Sequence, residues 1–419
     1  MIRSTVAHVD LASLQANFKA IQQFLAEGSA DPEAASAGAK GPRRVPKVMA
    51  VVKANAYGHG AERVAVALEA AGADLLACAD IEEAVVLRRA GVRVPILIFG
   101  ALSVSDLDGL FEFSLTPTIS TPSAARAVQK AAAKHKTTLG YHLKIDTGMN
   151  RLGFRHDNLR RTLPELLASS NLRLDAIYTH FATADEPESP FFDLQRKNFE
   201  EALRTIDSIA DPQGPRRATA EAGASHSKVL IHAANSAATL RDSRVWYDMV
   251  RPGLMLYGIV PPPLASTIPL TPVMSLTSRV VAVKGVRPGE GVGYGLRFEA
   301  DKPVTTAVIP AGYADGIDLR VSGRSQVLIR GRRVPIVGAV SMDMMMVDVT
   351  DLEDVSPGDE VVIIGRQGEE SWQQIDAREM AAAIGTIPYE VVCRIGSRIE
   401  RLYEEIPNSK SQIPKPQVR

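Results

Sequence analysis

VPKVMAVVKANAYGHG, residues 45–60, decides how this chain is read. Val45–Val52 is an apolar run of strand length, too short to make a buried helix of its own. It stops at Lys53 and opens into what reads as a glycine-rich helix start. The next stretch places Ala61, Val64, Ala65 and Leu68 at helical spacing, giving one apolar face. The same alternation then recurs along the chain. ADLLACAD (73–80) is followed by the helical IEEAVVLRRAG, PILIFG (95–100), LTPTIS (115–120) and an alanine-rich helix. GYHLKID (140–146), LRLDAIYTH (172–180), a longer helical region, KVLIHAAN (228–235) and YDMVRPGLMLYG (247–258) complete the set. Repeated strand–helix units imply a parallel sheet with right-handed crossovers. Eight such units in about 220 residues predict a closed (β/α)8 barrel, with a doubly wound open sheet as the alternative.

The proline-rich VPPPLASTIPLTP (260–272) can continue neither a helix nor a central strand, so it marks a domain boundary. The expected domains are a barrel over 10–262 and a mostly β domain over 263–405, which residues 1–9 could join. A flexible tail would follow from 406. Beyond the boundary SLTSRVVAVKGV, QVLIRGRRVPIVG and GDEVVIIG read as strands, DAREMAAAIG as a helix and EVVCRIGSRI as a further strand. Residues 28–44 and 211–228 are rich in Ala, Gly, Ser and Pro without periodicity, and read as inserted surface loops.

Composition narrows the function. Among 419 residues, 48 Lys+Arg balance 48 Asp+Glu, so no global field attracts nucleic acid or an anionic membrane. The two cysteines, Cys78 and Cys393, lack metal-ligand spacing and read as reduced thiols, and no metal is expected. The N-terminal MIRSTVAHVDLASL has no continuous apolar core of a secretory signal, and no apolar run is long enough to span a bilayer. A cytoplasmic enzyme acting on a small molecule is the expectation.

Barrel enzymes build their sites at the C-terminal ends of the strands, and here those ends are unusually polar. Lys53 follows the first strand; a lysine partly desolvated in a barrel mouth loses its proton more easily and can form a Schiff base. The plainer reading is a lysine reaching from a strand edge to water. In HLKIDTGMNRLG (142–153), strand alternation puts His142, Lys144 and Asp146 on one face. An inward Lys144 needs a partner or a modification, with a buried Lys–Asp pair the plain alternative. The turn then delivers Arg151. His180 and His232 belong to two strands of one barrel, while the small residues after Asn235 and Ser236 let backbone N–H groups approach an anion. Arg251 precedes the tight Pro252–Gly253 turn. GVGYG (291–295), GYADG (312–316) and SMD (341–343) are glycine-rich or polar turns, each unremarkable alone.

Taken together, VVKANAYGHG, KIDTGMNRLG, YTHFATAD, HAANSAA, RPGLMLYG, VGYG, GYADG, SMD and PYE resemble the alanine racemase family, in order and from the N-terminus to about residue 403. The resemblance implies a (β/α)8 barrel binding pyridoxal phosphate (PLP), a C-terminal β domain, and a homodimer interconverting L- and D-alanine for peptidoglycan synthesis. Lys53 would hold the cofactor and act as one acid/base. Tyr57, Ser236, Tyr389 and the backbone near Gly253 and Leu254 would bind the phosphate, with Asn235 and His180 in the cofactor-binding set. Arg151 would contact the phenolic oxygen and the substrate, oriented by a carbamate on Lys144. Arg251 would face the pyridine nitrogen. From the second subunit, Tyr294 would be the other acid/base, Met342 would help bind the carboxylate, and Tyr313 and Asp343 would line the entrance. His180 and His232 would connect Tyr294 to Arg251. A broad-specificity racemase of the same fold and a non-catalytic PLP carrier are the alternatives. A decarboxylase of this fold would favour a carboxylate where Arg251 stands.

Overall fold

The computed structural model describes residues 4–30, 44–102, 107–210, 229–368 and 372–404, which form two compact units. One contains residues 17–270, the other residues 1–16 and 271–419. Most of the two expected insertions, residues 31–43 and 211–228, and the tail lie outside the described residues. Residues 28–30, read as part of the first loop, instead end the helix Leu11–Ala30.

The first unit is a closed barrel of eight parallel strands. In chain order they are β1 (Lys47–Val51), β2 (Leu75–Cys78), β3 (Ile96–Ile98), β4 (Thr116–Ile119), β5 (Leu139–Asp146), β6 (Leu172–Tyr178), β7 (Leu230–Asn235) and β8 (Met249–Arg251). Each pairs with its successor, and β8 closes on β1 with Met249 opposite Lys47. The barrel expectation holds, and the open-sheet alternative falls at this closing pair. Met49, Leu75, Ala77, Leu97 and Met249 pack as one buried apolar cluster. Burying a Leu or Met side chain stabilises by about 1.5–3 kcal/mol, so this cluster does much to hold the ring shut. The helices between strands start on local signals. Asp80, Thr121 and Asn235 each accept a backbone N–H three residues on, and Pro122 occupies the first helical position.

The second unit is mostly β. Its sheet runs Ala282–Val286, Val304–Ile309, Met345–Asp348, Arg332–Val337, Gln326–Ile329, Glu360–Gln367, Met274–Arg279, Val6–Asp10, Glu400–Glu404. The strand Val6–Asp10 is antiparallel to Met274–Arg279 and parallel to Glu400–Glu404. One expectation fails here: EVVCRIGSRI is not a strand. Pro388–Cys393 is a helix, with proline at its first turn. Buried Pro388, Val391, Val392 and Ile395 recur at helical spacing, which outweighs the β preference of the Val-Val pair. Among the described residues, no helix is long and apolar enough to cross a membrane.

Candidate active site

At the end of β1 the backbone departs from the helix start expected there. Ala54, Asn55, Ala56 and Tyr57 all adopt the left-handed conformation, with φ of 52–54°, and the right-handed helix begins only at Ala61. Four consecutive non-glycine residues in this region cost ~1–2 kcal/mol each, so surrounding bonds must hold them. Glu83 supplies two of these bonds. One carboxylate oxygen accepts the Ala54 N–H at 2.7 Å, and the other accepts the Ala79 N–H at 2.8 Å. The Asn55 side chain accepts the Ala61 N–H at 2.8 Å. Lys53, half-buried, is therefore presented by a turn pinned to the end of β2. Motif reading missed Glu83 as a support of this turn, although Asp80-x-x-Glu83 has the spacing of a helix N-terminal capping box.

The left-handed turn also aims Tyr57 across the barrel mouth. Its ring lies 4.9 Å from that of Tyr257, whose hydroxyl donates to the Val51 carbonyl at 3.0 Å. A Cβ at Gly253 would sit 2.3 Å from the Tyr57 hydroxyl oxygen, so only glycine lets the phenol rest there. Ser236 Oγ accepts the Gly253 N–H at 2.9 Å, and Asn235 caps the helix that Ser236 begins. The phenol of Tyr57, the hydroxyl of Ser236 and the bare backbone at Gly253 and Leu254 thus converge at the ends of β1, β7 and β8. Gly253 pairs φ of −118° with ψ of −86°, outside the ordinary α and β regions, so Gly253→Ala should melt about 2–4 °C below the parent, as ~1 kcal/mol of backbone strain does. It should bind PLP about 10- to 100-fold more weakly, the loss expected for one charge-assisted bond of ~1.5–3 kcal/mol. A fluorescence titration with PLP measures this, and parental affinity would remove Tyr57 and Gly253 from the cradle.

Arg251 is 3% exposed and lies within the barrel. Its guanidinium donates to the Thr179 carbonyl at 2.9 Å, the Ala233 carbonyl at 2.8 Å, His232 Nδ1 at 2.9 Å and His180 Nδ1 at 3.3 Å. Because guanidinium only donates, His232 Nδ1 must accept, leaving its proton on Nε2. That proton goes to His142 Nδ1, 3.0 Å away. Burial foremost, with the Arg251 charge adding, holds His180 and His232 well below the ordinary imidazole range, and lowers His142 to about 4. All three are neutral at pH 7. Arg251 itself is lowered by burial to about 10 and stays charged.

Lys144 faces the same interior, its Nζ 5.4 Å from the centre of the Tyr178 ring, which stacks on His232 at 4.7 Å. Asp146 turns one carboxylate oxygen to the N–H groups of Gly148 and Asn150, both at 3.0 Å, and so shapes the turn that carries the exposed Arg151. Burial first, then the charges of Arg151 and Arg251, lower the Lys144 ammonium to about 8. Lys53 acts on it in the same direction, against Asp146. Four cationic side chains thus feel one another across the mouth, a setting for an anion.

Tyr389, Tyr294, Tyr313, Met342 and Asp343 belong to the second unit. There the Tyr313 N–H donates to the Ser341 carbonyl and the Ala314 N–H to the Met342 carbonyl, both at 3.0 Å, so the GYADG and SMD loops are joined. The positive φ of Gly293 (72°) and Gly295 (70°) frames Tyr294, which projects 78% exposed. Arg398, not singled out in the sequence, pairs with Asp343 at 2.6 Å and with buried Asp315 at 3.5 Å. Asp318 binds Arg320 at 2.7 Å and Arg394 at 2.8 Å, tying the Tyr313 loop to the C-terminal end of the Tyr389 helix. The Arg320 bonds foremost hold its carboxyl down at about 2, from an ordinary value near 4. A depressed carboxyl stabilises the fold above its unfolded pKa, and that contribution is lost as pH falls through the folded one. Asp318→Asn should therefore melt about 2–4 °C below the parent at pH 6, as ~1 kcal/mol does in a domain of this size, with the gap closing between about pH 4 and 2. A constant gap across that range would deny the linkage. No group of His, Cys, Asp and Glu among the described residues is arranged to hold a metal ion.

Comparison with known proteins agrees with this architecture. The alanine racemase N-terminal domain family matches residues 9–261, and the alanine racemase C-terminal domain family matches residues 273–403. The alanine racemase of Carboxydothermus hydrogenoformans is 40% identical over 407 residues, covering 96% of this chain and 100% of that protein. The crystal structure of alanine racemase from D-cycloserine-producing Streptomyces lavendulae superposes with a TM-score of 0.84 at 32% identity, covering 97% of this chain and 98% of that one. That of Bartonella henselae alanine racemase, with covalently bound pyridoxal phosphate, does so with a TM-score of 0.80 at 27% identity, covering 96% and 99%. Matched across both of its domains and nearly its whole length, the chain belongs to the alanine racemase family.

Proposed function

We propose that this chain interconverts L- and D-alanine with PLP, as a cytoplasmic homodimer, supplying D-alanine for peptidoglycan. One observation carries the reading: a phenol, a hydroxyl and a bare glycine backbone converge beside the cationic Lys53, Arg151 and Arg251 at the barrel mouth. That donor set fits a phosphate ester. In this assignment the barrel domain, 10–262, holds the cofactor through Lys53. Tyr57, Asn235, Ser236, Gly253, Leu254 and Tyr389 receive the phosphate. Arg251, held by His180 and His232, faces the pyridine nitrogen, and its permanent charge disfavours a proton there. Arg151, oriented by a carbamate on Lys144, reaches the phenolic oxygen and the substrate.

When bound, the cofactor accepts electron density from the substrate Cα and so acidifies its proton. Inversion needs that proton removed at one face and another delivered at the opposite face. Lys53 Nζ serves one face and Tyr294 Oη of the partner subunit the other. Met342, Tyr313 and Asp343 of the partner subunit bind the carboxylate and line the entrance. The dimer is supported by the exposure of Tyr294, Leu296 (64%), Met342 (52%) and Tyr313 (47%) on the second unit. Large exposed apolar side chains of this kind mark interaction surfaces, and two-fold pairing is the commonest way to cover one.

Chiral analysis of L-alanine incubated with the PLP-loaded chain tests the proposal, beside borohydride reduction to fix the cofactor on Lys53. D-alanine should accumulate to the equimolar mixture. Cofactor fixed on Lys53 with no D-alanine formed would overturn the substrate.

A further inference from the structure

One buried polar side chain near the mouth has no part in the assignment above. Gln195, on the helix Phe191–Ala210, is 2% exposed. Its Oε1 accepts the Ala182 N–H at 2.8 Å. Its Nε2 donates to the His180 carbonyl at 3.0 Å and to Thr147 Oγ1 at 3.2 Å. The amide can face only this way, because a peptide N–H donates and a carbonyl accepts. One turn on, Asn198 Nδ2 donates to the Thr147 carbonyl at 3.1 Å. The Thr147 and Thr179 hydroxyls meet at 2.7 Å. Gly148 opens the turn at φ of 138°, a conformation that glycine takes readily and side-chain-bearing residues rarely do.

We infer that Gln195 is a positioning residue that locks the loops following β5 and β6 together. The inference rests on the racemase reading of the site. The β5 loop runs from Thr147 to Arg151. The β6 loop carries Thr179 and His180, both of which Arg251 contacts. Gln195 thus holds His180 against Arg251 and sets where the Arg151 turn begins. If packing were the only requirement, an apolar side chain would fill the slot without the cost of burying an amide. None of Gln195's bonds reaches Tyr57, Ser236 or Gly253, so removing them leaves the cradle's own contacts in place.

The test uses Gln195→Met, which keeps the volume and removes all three bonds. Gln195→Glu is its companion: it still accepts from Ala182 but turns a second oxygen on the His180 carbonyl. Both are loaded with PLP. PLP content, kcat and KM for each enantiomer, and the pH titration of the bound cofactor's absorbance are then measured. Both variants should hold PLP as the parent does, raise KM at least tenfold, and move the absorbance midpoint by half a pH unit or more. Parental KM and parental midpoint in both variants would reduce Gln195 to packing, whatever their melting temperatures. Loss of PLP from both would overturn the separation from the cradle. The absorbance titration needs no turnover, so it decides the positioning role even where the parent makes no D-alanine.

Discussion

Lys53→Ala is expected to fold like the parent and to interconvert the alanine enantiomers at least about 10⁴-fold more slowly, the upper range for loss of a positioned acid/base. The turn beside it is held by Glu83, Asn55 and the Tyr57–Gly253 contact, none of which uses the Lys53 side chain. Melting temperature should therefore stay close to the parent's. PLP should still bind through its phosphate, yet borohydride should no longer fix it to the chain. Lys53→Arg separates charge from proton transfer. It restores a cation, but guanidinium does not give up its proton near neutral pH, so activity should stay lost. Racemisation by either variant within tenfold of the parent would remove Lys53 from the proton path.

Tyr294→Phe should lower kcat/KM by about 10²–10⁴-fold, with melting unchanged because the side chain is exposed. L- and D-alanine have equal free energies, so kcat/KM must fall equally in the two directions. The sharper readout is isotopic. With one proton carrier gone, the Cα hydrogen should still exchange with D2O from the Lys53 face, and the substrate should keep its handedness. NMR of each enantiomer in D2O follows exchange, and chiral chromatography follows inversion. Loss of exchange and inversion in equal measure, for both enantiomers, would count against a separate role for Tyr294.

Much of the fold was legible from residues 45–258, because buried parallel strands are continuous apolar runs and the intervening helices are capped by Asp80, Thr121 and Asn235. The polar strand ends then pointed to Lys53, Lys144, Ser236 and Arg251 through the geometry of a barrel mouth. The left-handed turn at Ala54–Tyr57 was not legible. In Ala-Asn-Ala-Tyr only Asn55 tolerates it locally, and the other bonds come from Glu83 and from the space above Gly253. Gln195 was equally hidden. One glutamine in an amphipathic helix reads as solvent-facing until the β5 and β6 loops are seen around it. In the Pro388–Cys393 helix the local signal misled, because the Val-Val pair suggested a strand while the wider spacing of apolar residues carried the helix.

The strand Val6–Asp10 sits between Met274–Arg279 and Glu400–Glu404. During synthesis it leaves the ribosome about 390 residues ahead of its second neighbour. At 5–20 residues per second, that delay is about 20–80 s. The eight barrel strands are all made in the interval and can close before the first strand has either partner. A nascent chain stalled soon after residue 270 would hold a complete barrel while Val6–Asp10 still lacked both partner strands, leaving that segment open to a chaperone or a protease.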